Sequence, residues 1–443
     1  MTHPQDLSLR DQAAGVASGE LDPGEVLAAT LARIEERDGQ LRSVPSVFPE
    51  ESQRMLAEAP RGPLYGVPIA VKDMFRLPWR GPRDGTPREQ LPPGESAAYH
   101  RLKDAGAVVV GVTNMHFWGA GSTGHVSAYG PVGNPWDPSR CGGGSSGGSA
   151  AAVGARLVAG AVGVDGGGSI RLPAAYCGIT GLKCTFGVVP LQGYTHEFAS
   201  MDAAGPMCRD AADTRLLGET LAGRQLPVSD ESALRVGIVR EPFWTNLDPE
   251  VERACEEALD NTGWTLQEVE LDGAEHAQIA AVARLTLEAL HTIDDEHLAD
   301  ADPIMRALVK YERLLPAELL VRADLIRAKL RRALAGLFQR CDVIAWPTVP
   351  APAPPIEAPV VELPSGHYPA DAANVRQSGF GNLAGIPGIN VPVGLHSAGV
   401  PIGLQLQAGW GEEAVLLDAA EHVERVTERA YVDALPPLAG MPA

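Results

Sequence analysis

The chain has 443 residues, of which 45% are hydrophobic and 21% are charged, an ordinary composition for a water-soluble globular protein. Its formal net charge of −20 disfavours nucleic-acid binding, because neutralising phosphates requires clustered lysine and arginine. No apolar run is long enough to span a membrane, and residues 1–20 lack the apolar segment of a secretory signal. The six cysteines lack the paired spacing of metal sites, so we expect reduced thiols in a cytoplasmic protein.

Helix and strand signals alternate along the chain. The first predicted helix follows the capping residue Asp22 and has Pro23 at its first position. Apolar periodicity then predicts helices at Ala97–Asp104, Ser149–Leu157, Pro249–Leu259 and Glu412–Ala430. Short apolar runs predict strands at Ala107–Val112, Ala161–Val164, Leu234–Val239, Thr265–Leu271, Ile389–Val393 and Pro401–Leu406. This alternation indicates an α/β protein whose sheet is covered by helices on both faces.

A proline-rich segment interrupts this pattern near the last third of the chain. Pro347–Pro355 holds five prolines in nine residues, and apolar segments flank it closely. We therefore expect an extended crossover within one domain rather than a linker between two. The sequence has no internal repeat, and we expect residues 1–443 to form a single domain.

Two serines lie in separate glycine clusters, 24 residues apart, at positions 145 and 169. Glycine lets the backbone approach a ligand closely, so a serine there presents its hydroxyl beside several N–H groups. Ser169 is the candidate nucleophile, although a purely structural glycine turn would have the same composition. The candidate oxyanion hole consists of the three preceding residues, Gly166, Gly167 and Gly168.

A lone lysine, Lys72, ends the short apolar strand predicted at 67–71. Burial there would disfavour the charged form of the lysine and lower its pKa. A lysine at a strand end is more often a solvated surface charge, but the coincidence with two serine loops favours a catalytic base. His116 and His125 precede the first loop and are interpreted as structural or substrate-side residues.

These three segments resemble the amidase signature family. Its hallmarks are a Gly-Val-Pro-(apolar)-x-Val-Lys-Asp segment, a Gly-Gly-Ser-Ser-Gly-Gly-Ser loop and an Asp-x-Gly-Gly-Ser-Ile-Arg segment, all found here. The resemblance extends from about residue 64 to 424 and includes Asn134–Asp137, Gly181–Lys183, Met201–Met207, Trp346–Thr348 and Asn382–Pro387. It implies a single-domain fold with a mixed central β-sheet and a catalytic core at about 64–208. Residues 210–380 carry the fewest motifs, so we expect substrate-shaping elements there.

The resemblance also implies roles for individual residues. Ser145, which follows a cis peptide bond from Gly144 in such proteins, would relay a proton between Lys72 and Ser169. Ser146 would support this relay through hydrogen bonds. Asp165 and Arg171 would brace the nucleophile loop, although either could equally belong to an ordinary buried ion pair.

The implied reaction is hydrolysis of a carboxylic amide to an acid and ammonia or an amine through a Ser169 acyl-enzyme. It needs no metal and no organic cofactor, and the partner is a small-molecule amide rather than nucleic acid or membrane. A homodimer is compatible with the sequence, since the predicted helices near Glu318–Leu337 and Glu412–Ala430 could pair.

Several residues depart from the usual family pattern and leave the substrate class open: Phe117, Gly133, Cys141, Gly142, Gly166, Cys184 and Val188.

Three other functions remain open at this point. The chain could be the glutaminase-type subunit of a tRNA-dependent amidotransferase, or an inactive amidase fold with a binding role. The third, a phosphate cradle, is disfavoured because the glycine loops lack the Gly-x4-Gly-Lys order and the dinucleotide fingerprint. The intact Lys72, Ser145 and Ser169 argue against an inactive binding subunit.

Overall fold

The computed structural model describes residues 3–195, 198–228, 233–293, 295–301, 303–312 and 314–427. The helices there are α1 (Leu9–Ser18), α2 (Pro23–Arg37), α3 (Pro49–Glu58), α4 (Ala97–Asp104), α5 (Gly147–Gly154), α6 (Arg171–Cys177), α7 (Ala211–Ala222), α8 (Arg240–Phe243), α9 (Pro249–Asp260), α10 (Ala274–Thr292), α11 (Asp295–Asp300), α12 (Pro303–Glu312), α13 (Glu318–Leu337), α14 (Ala370–Ala384) and α15 (Glu413–Val426). The strands are β1 (Ser46–Val47), β2 (Pro68–Lys72), β3 (Val108–Thr113), β4 (Gly160–Asp165), β5 (Thr180–Lys183), β6 (Ala203–Cys208), β7 (Arg235–Ile238), β8 (Thr265–Glu268), β9 (Val343–Pro347), β10 (Val360–Leu363), β11 (Gly366–Pro369), β12 (Gly388–Leu395) and β13 (Pro401–Ala408).

A large mixed sheet organises the molecule, with the strand order β1-β3-β2-β4-β6-β5-β12-β13-β9-β7-β8. Strand β2 runs parallel to β3 and β4, and β7 runs parallel to β8 and β9. The remaining neighbours are antiparallel, for example β4 with β6 and β12 with β13. Every residue of β2, β3, β4, β6 and β13 is buried. Because successive side chains point to opposite faces, both faces of the sheet are covered, which confirms the predicted α/β class.

The predicted elements occur with small shifts in their ends. Helix α4 has the predicted bounds, whereas α5 begins at Gly147, two residues earlier than predicted. Strand β8 ends at Glu268 rather than Leu271, and both β12 and β13 extend beyond the predicted runs. Helix α15 ends at Val426, and residues 428–430 of the predicted helix lie outside the described residues.

The proline-rich crossover packs into the structure as predicted. It follows β9, and residues 348–351 are buried. Arg140 Nη1 donates a hydrogen bond to Ala353 O at 2.6 Å, and Cys141 N donates to Pro354 O at 2.9 Å. The crossover is thereby fastened to the chain segment that leads into the first glycine loop.

The topology brings two chemically important strand ends together. Strands β2 and β4 are parallel neighbours, with Val71 opposite Val162. Their carboxyl ends therefore meet at the same edge of the sheet, where β2 ends in Lys72 and β4 in Asp165. Among the described helices, none is both long enough and apolar enough to cross a membrane.

Candidate active site

The lysine predicted as the base contacts one of the two predicted serines. Lys72 is 1% exposed, and its Nζ lies 2.7 Å from Ser145 Oγ and 3.4 Å from Val164 O. The peptide bond between Gly144 and Ser145 is cis, as the resemblance implied. The lysine is therefore a buried residue in direct hydrogen-bond contact with a serine hydroxyl, and not a solvated surface charge.

Ser146 joins the two glycine loops. Its N–H donates to the main-chain oxygen of Ser169 at 3.1 Å, and its hydroxyl donates to Val164 O at 3.0 Å. The same hydroxyl accepts from Val164 N at 3.3 Å. Ser169 itself is 8% exposed and stands between the end of β4 and the start of α6. The loop carrying Ser145 and the loop carrying Ser169 are thus held against each other.

A fully buried ion pair lies in the loop that carries the candidate nucleophile. Arg171 donates from Nε to Asp165 Oδ2 at 3.0 Å and from Nη2 to Oδ1 at 3.1 Å. Burial alone would raise the pKa of Asp165, but the Arg171 charge and its hydrogen bonds outweigh burial and hold that pKa well below its usual range. Arg171 has three further acceptors, namely Gln405 Oε1 at 2.9 Å, Ser378 O at 3.1 Å and Asn382 Oδ1 at 2.7 Å.

One of the three glycines predicted to form an oxyanion hole has its amide engaged elsewhere. Gly168 N donates to Asp165 Oδ1 at 2.6 Å, so this N–H does not point at a substrate. Gly168 instead serves the turn, because its φ of +119° is a conformation that residues with a Cβ rarely adopt. The backbone hydrogen bonds of the described residues include none donated by Gly166, Gly167 or Ser169, so these amides are the remaining candidates.

The glycine at position 166, where threonine is common in the resembled family, is explained by its neighbours. A Cβ there would lie 2.5 Å from Asp202 Oδ1 and 2.7 Å from Phe198 Cδ2. Asp202 accepts hydrogen bonds from Tyr194 Oη at 2.5 Å and from Phe198 N at 3.1 Å. Burial raises the pKa of Asp202 to about 7, although the hydrogen bond from Tyr194 opposes this.

Asp202 lies within the Met201–Met207 family motif, which by itself assigns no function to this carboxyl group. Asp202 precedes Ala203, which pairs with Asp165 across strands β4 and β6, and the electrostatic influence of Lys72 opposes the rise in the pKa of Asp202. The only signal in the sequence was its position in the Met201–Met207 motif. Asp202 is therefore an additional candidate for a role near the relay, which the sequence alone did not single out.

A cavity of about 290 Å³ opens at the candidate nucleophile Ser169, with Gly167 also in its wall. Helices α10, α12 and α14, all from the region predicted to shape the substrate, contribute much of the lining. The apolar lining residues are Gly119, Ala120, Gly121, Leu172, Phe198, Val282, Leu285, Ala289, Ile293, Val309 and Val375. The polar ones besides Ser169 are Ser122, Thr286, Glu312 and Asp371.

The two histidines near the first loop hold local structure. His116 is buried, and its Nδ1 accepts a hydrogen bond from Gly124 N at 3.2 Å. His125 Nδ1 lies 2.6 Å from Thr123 Oγ1. Neither histidine lines the cavity. Within the described ranges, no group of histidine, cysteine, aspartate and glutamate side chains could hold a metal ion.

Other departures from the family pattern lie in packed surroundings. Phe117 is buried in a cluster with Ile293 and Val309, two residues that also line the cavity. Cys184 is buried, and Val188 packs against the main hydrophobic core. The Phe117 departure thus supports the apolar end of the cavity rather than the catalytic groups.

Comparison with known proteins agrees with this geometry. The Amidase family model matches residues 25–417. The chain is 36% identical to a glutamyl-tRNA(Gln) amidotransferase subunit of Chromohalobacter salexigens, over 96% of this chain and 97% of that protein. A similar relative, with the same name, from Thermus thermophilus is 36% identical over 95% and 97%.

A solved structure described as an amidase superimposes with a TM-score of 0.90 at 30% identity, covering 95% of this chain and 100% of the other. The family match spans most of the chain, and the relatives match over nearly their whole length. The chain therefore belongs to the amidase family, whose structurally characterised members include amide-hydrolysing enzymes.

Proposed function

We propose that this protein hydrolyses a carboxylic amide through an acyl-enzyme on Ser169, with Lys72 and Ser145 as the proton relay. The observation that carries the proposal is the buried 2.7 Å contact between Lys72 Nζ and Ser145 Oγ. It lies beside the loop whose serine opens into the cavity. Burial favours the neutral form of a lysine, which has the lone pair that a base needs.

The proposed cycle begins as Ser169 Oγ attacks the amide carbonyl carbon. Its proton passes to Ser145, whose own proton passes to neutral Lys72. The carbonyl oxygen becomes an oxyanion and accepts hydrogen bonds from main-chain amides of Gly166, Gly167 and Ser169. The relay then returns a proton to the leaving nitrogen, the C–N bond breaks, and water hydrolyses the ester by the same route.

Covalent labelling tests the nucleophile. A fluorophosphonate probe should label Ser169 in the full-length chain, as mapped by mass spectrometry of the labelled peptide. Ser169→Ala should abolish labelling and turnover, whereas Ser397→Ala, which changes an exposed serine, should leave both unchanged. Labelling at Ser145 or at a cysteine, with Ser169 unmodified, would refute the assignment.

A second function is favoured by the relatives, which are named as glutamyl-tRNA(Gln) amidotransferase subunits. In that case the same relay would release ammonia from glutamine for use by partner subunits. The net charge of −20 gives no support for direct tRNA contact by this chain. Glutaminase activity that appears only after partner subunits are added would establish this second function.

We also propose that the whole chain works as one domain in a reducing compartment such as the cytoplasm. One sheet combines strands from both halves of the chain, which supports the first point. The six cysteines are buried free thiols, which supports the second. A homodimer stays a prediction.

A further inference from the structure

The ionisable groups that line the cavity are acidic. Of the described lining residues, only Glu312 and Asp371 carry ionisable side chains, and no lysine, arginine or histidine is among them. The rest of the lining is mostly apolar and includes Leu172, Phe198, Val375 and several residues of α10. A substrate with a carboxylate on its acyl part would therefore lose hydration without gaining a cationic partner from these walls.

Asp371 presents a fixed carboxylate. Its Oδ1 accepts hydrogen bonds from Ser122 N at 2.5 Å and from Ser122 Oγ at 2.7 Å. Ser122 Oγ in turn accepts from Asn374 Nδ2 at 3.0 Å, so this serine is held in the donating orientation. These contacts fix the carboxyl group of Asp371 in the cavity wall, where a substrate carboxylate would meet like-charge repulsion.

Glu312 adds a second acidic group at the end of α12. Partial burial raises the pKa of Glu312 to about 7, so its carboxyl group is only about half ionised at neutral pH and its repulsion of anions strengthens as the pH rises. Burying a substrate carboxylate near it would cost free energy through like-charge repulsion.

We propose that the cavity selects amides whose acyl part is small, apolar and without negative charge, and that Glu312 and Asp371 reject anionic acyl groups. The proposal rests on the proposed amide hydrolysis at Ser169 and names its substrate class. The cavity volume of about 290 Å³ is at the low end of the ~300–1,000 Å³ typical of small-molecule sites. Specificity of this kind combines a matched apolar surface with a repulsive element against the wrong ligand.

A pair of substrates of equal chain length tests the charge selection. Hexanamide ends in a methyl group, whereas adipic acid monoamide ends in a carboxylate. Ammonia release by the purified full-length chain should give a kcat/KM for hexanamide at least about 100-fold above that for the monoamide. L-glutamine, which carries a carboxylate and an ammonium group, should be as poor a substrate as the monoamide.

Charge variants identify the residues responsible. Glu312→Gln and Asp371→Asn should each reduce the ratio of the two kcat/KM values by about tenfold, and Glu312→Lys should reduce it further. Glu318→Lys makes the same charge change at an exposed residue outside the cavity and should leave the ratio unchanged. An identical shift in Glu318→Lys would show that the effect comes from overall charge and would overturn the assignment.

The outcomes separate this inference from the proposed function. If Ser169 is labelled and adipic acid monoamide or glutamine is hydrolysed as well as hexanamide, the charge selection is wrong while the hydrolase mechanism stands. If Ser169 is not labelled and neither amide is hydrolysed, the proposed function itself is wrong.

Discussion

Removing the charge of Asp165 is expected to destabilise the protein strongly, because this carboxylate is fully buried and receives six hydrogen bonds. Asp165→Asn keeps the shape of the side chain but turns one acceptor into a donor that faces other donors. It also leaves the buried Arg171 guanidinium without its anion. Breaking one partner of a buried ion pair typically costs about 3–5 kcal/mol, a large share of the about 5–15 kcal/mol that stabilises most proteins.

Urea unfolding followed by tryptophan fluorescence measures this loss. Asp342→Asn is the matched control, because Asp342 also binds an arginine through two oxygens, but at the surface. The urea midpoint of Asp342→Asn should change much less than that of Asp165→Asn. Equal midpoints for Asp165→Asn and the unmodified protein would refute the argument that this pair holds the loop.

The pH dependence of stability gives an independent check. The pKa of Asp165 is lower in the folded than in the unfolded chain, where it is about 3.9. Its stabilising contribution is therefore fully present above pH ~4 and declines as the pH falls below that value. The difference between the unmodified protein and Asp165→Asn should shrink over the same acidic range.

Three further outcomes are expected. Lys72→Ala should lower kcat about 100-fold or more, whereas Lys329→Ala, a change at the surface, should leave kcat unchanged. The activity of the unmodified enzyme should rise from neutral to mildly alkaline pH. Gly168→Ala should reduce both the activity and the urea midpoint, because the φ of Gly168 is +119° and the new Cβ would lie 2.3 Å from Ser378 Oγ. The control Gly336→Ala lies in a helix with open space around it and should not destabilise the protein. Dialysis against a chelator should leave amide hydrolysis unchanged, and a loss restored by one added metal would contradict the metal-free mechanism.

The sequence was sufficient to predict the α/β class and the positions of most helices and strands, because apolar periodicity and glycine stops are local signals. It also predicted Lys72, Ser145 and Ser169 as a group, since each lies in a segment with a distinctive glycine pattern. The structure places Lys72 and Ser145 in contact and the two serine loops against each other. The order of the proton relay, from Ser169 through Ser145 to Lys72, was inferred from the family resemblance and not from the periodicity of apolar residues.

Other features depended on side-chain and main-chain contacts that the sequence pattern does not reveal. The amide of Gly168 was predicted to face the substrate, but Asp165 three residues earlier binds it. The position of Asp202 depends on the pairing of β6 with β4, which brings its carboxyl group beside the turn at Gly166. Glycine composition shows that a turn is possible, but it does not show which amide points to solvent and which points to a neighbouring carboxylate.

The candidate catalytic groups come from the first half of the chain, whereas eight of the 17 residues that line the cavity come from α10, α12 and α14. Lys72, Ser145 and Ser169 lie in the segments that resemble the whole family, so they are equally compatible with a free-standing amidase and with one component of an amidotransferase. The three helices α10, α12 and α14 lie in the part of the chain with the fewest motifs, and the rest of the wall includes Gly119–Ser122, Gly167, Leu172 and Phe198. Under the proposed charge selection, groups such as Glu312 and Asp371 would distinguish an apolar amide from glutamine. The rates at which Glu312 and Asp371 variants hydrolyse charged and uncharged amides would therefore distinguish a free-standing amidase from an amidotransferase subunit. Identifying the nucleophile would not, because both functions use the same one.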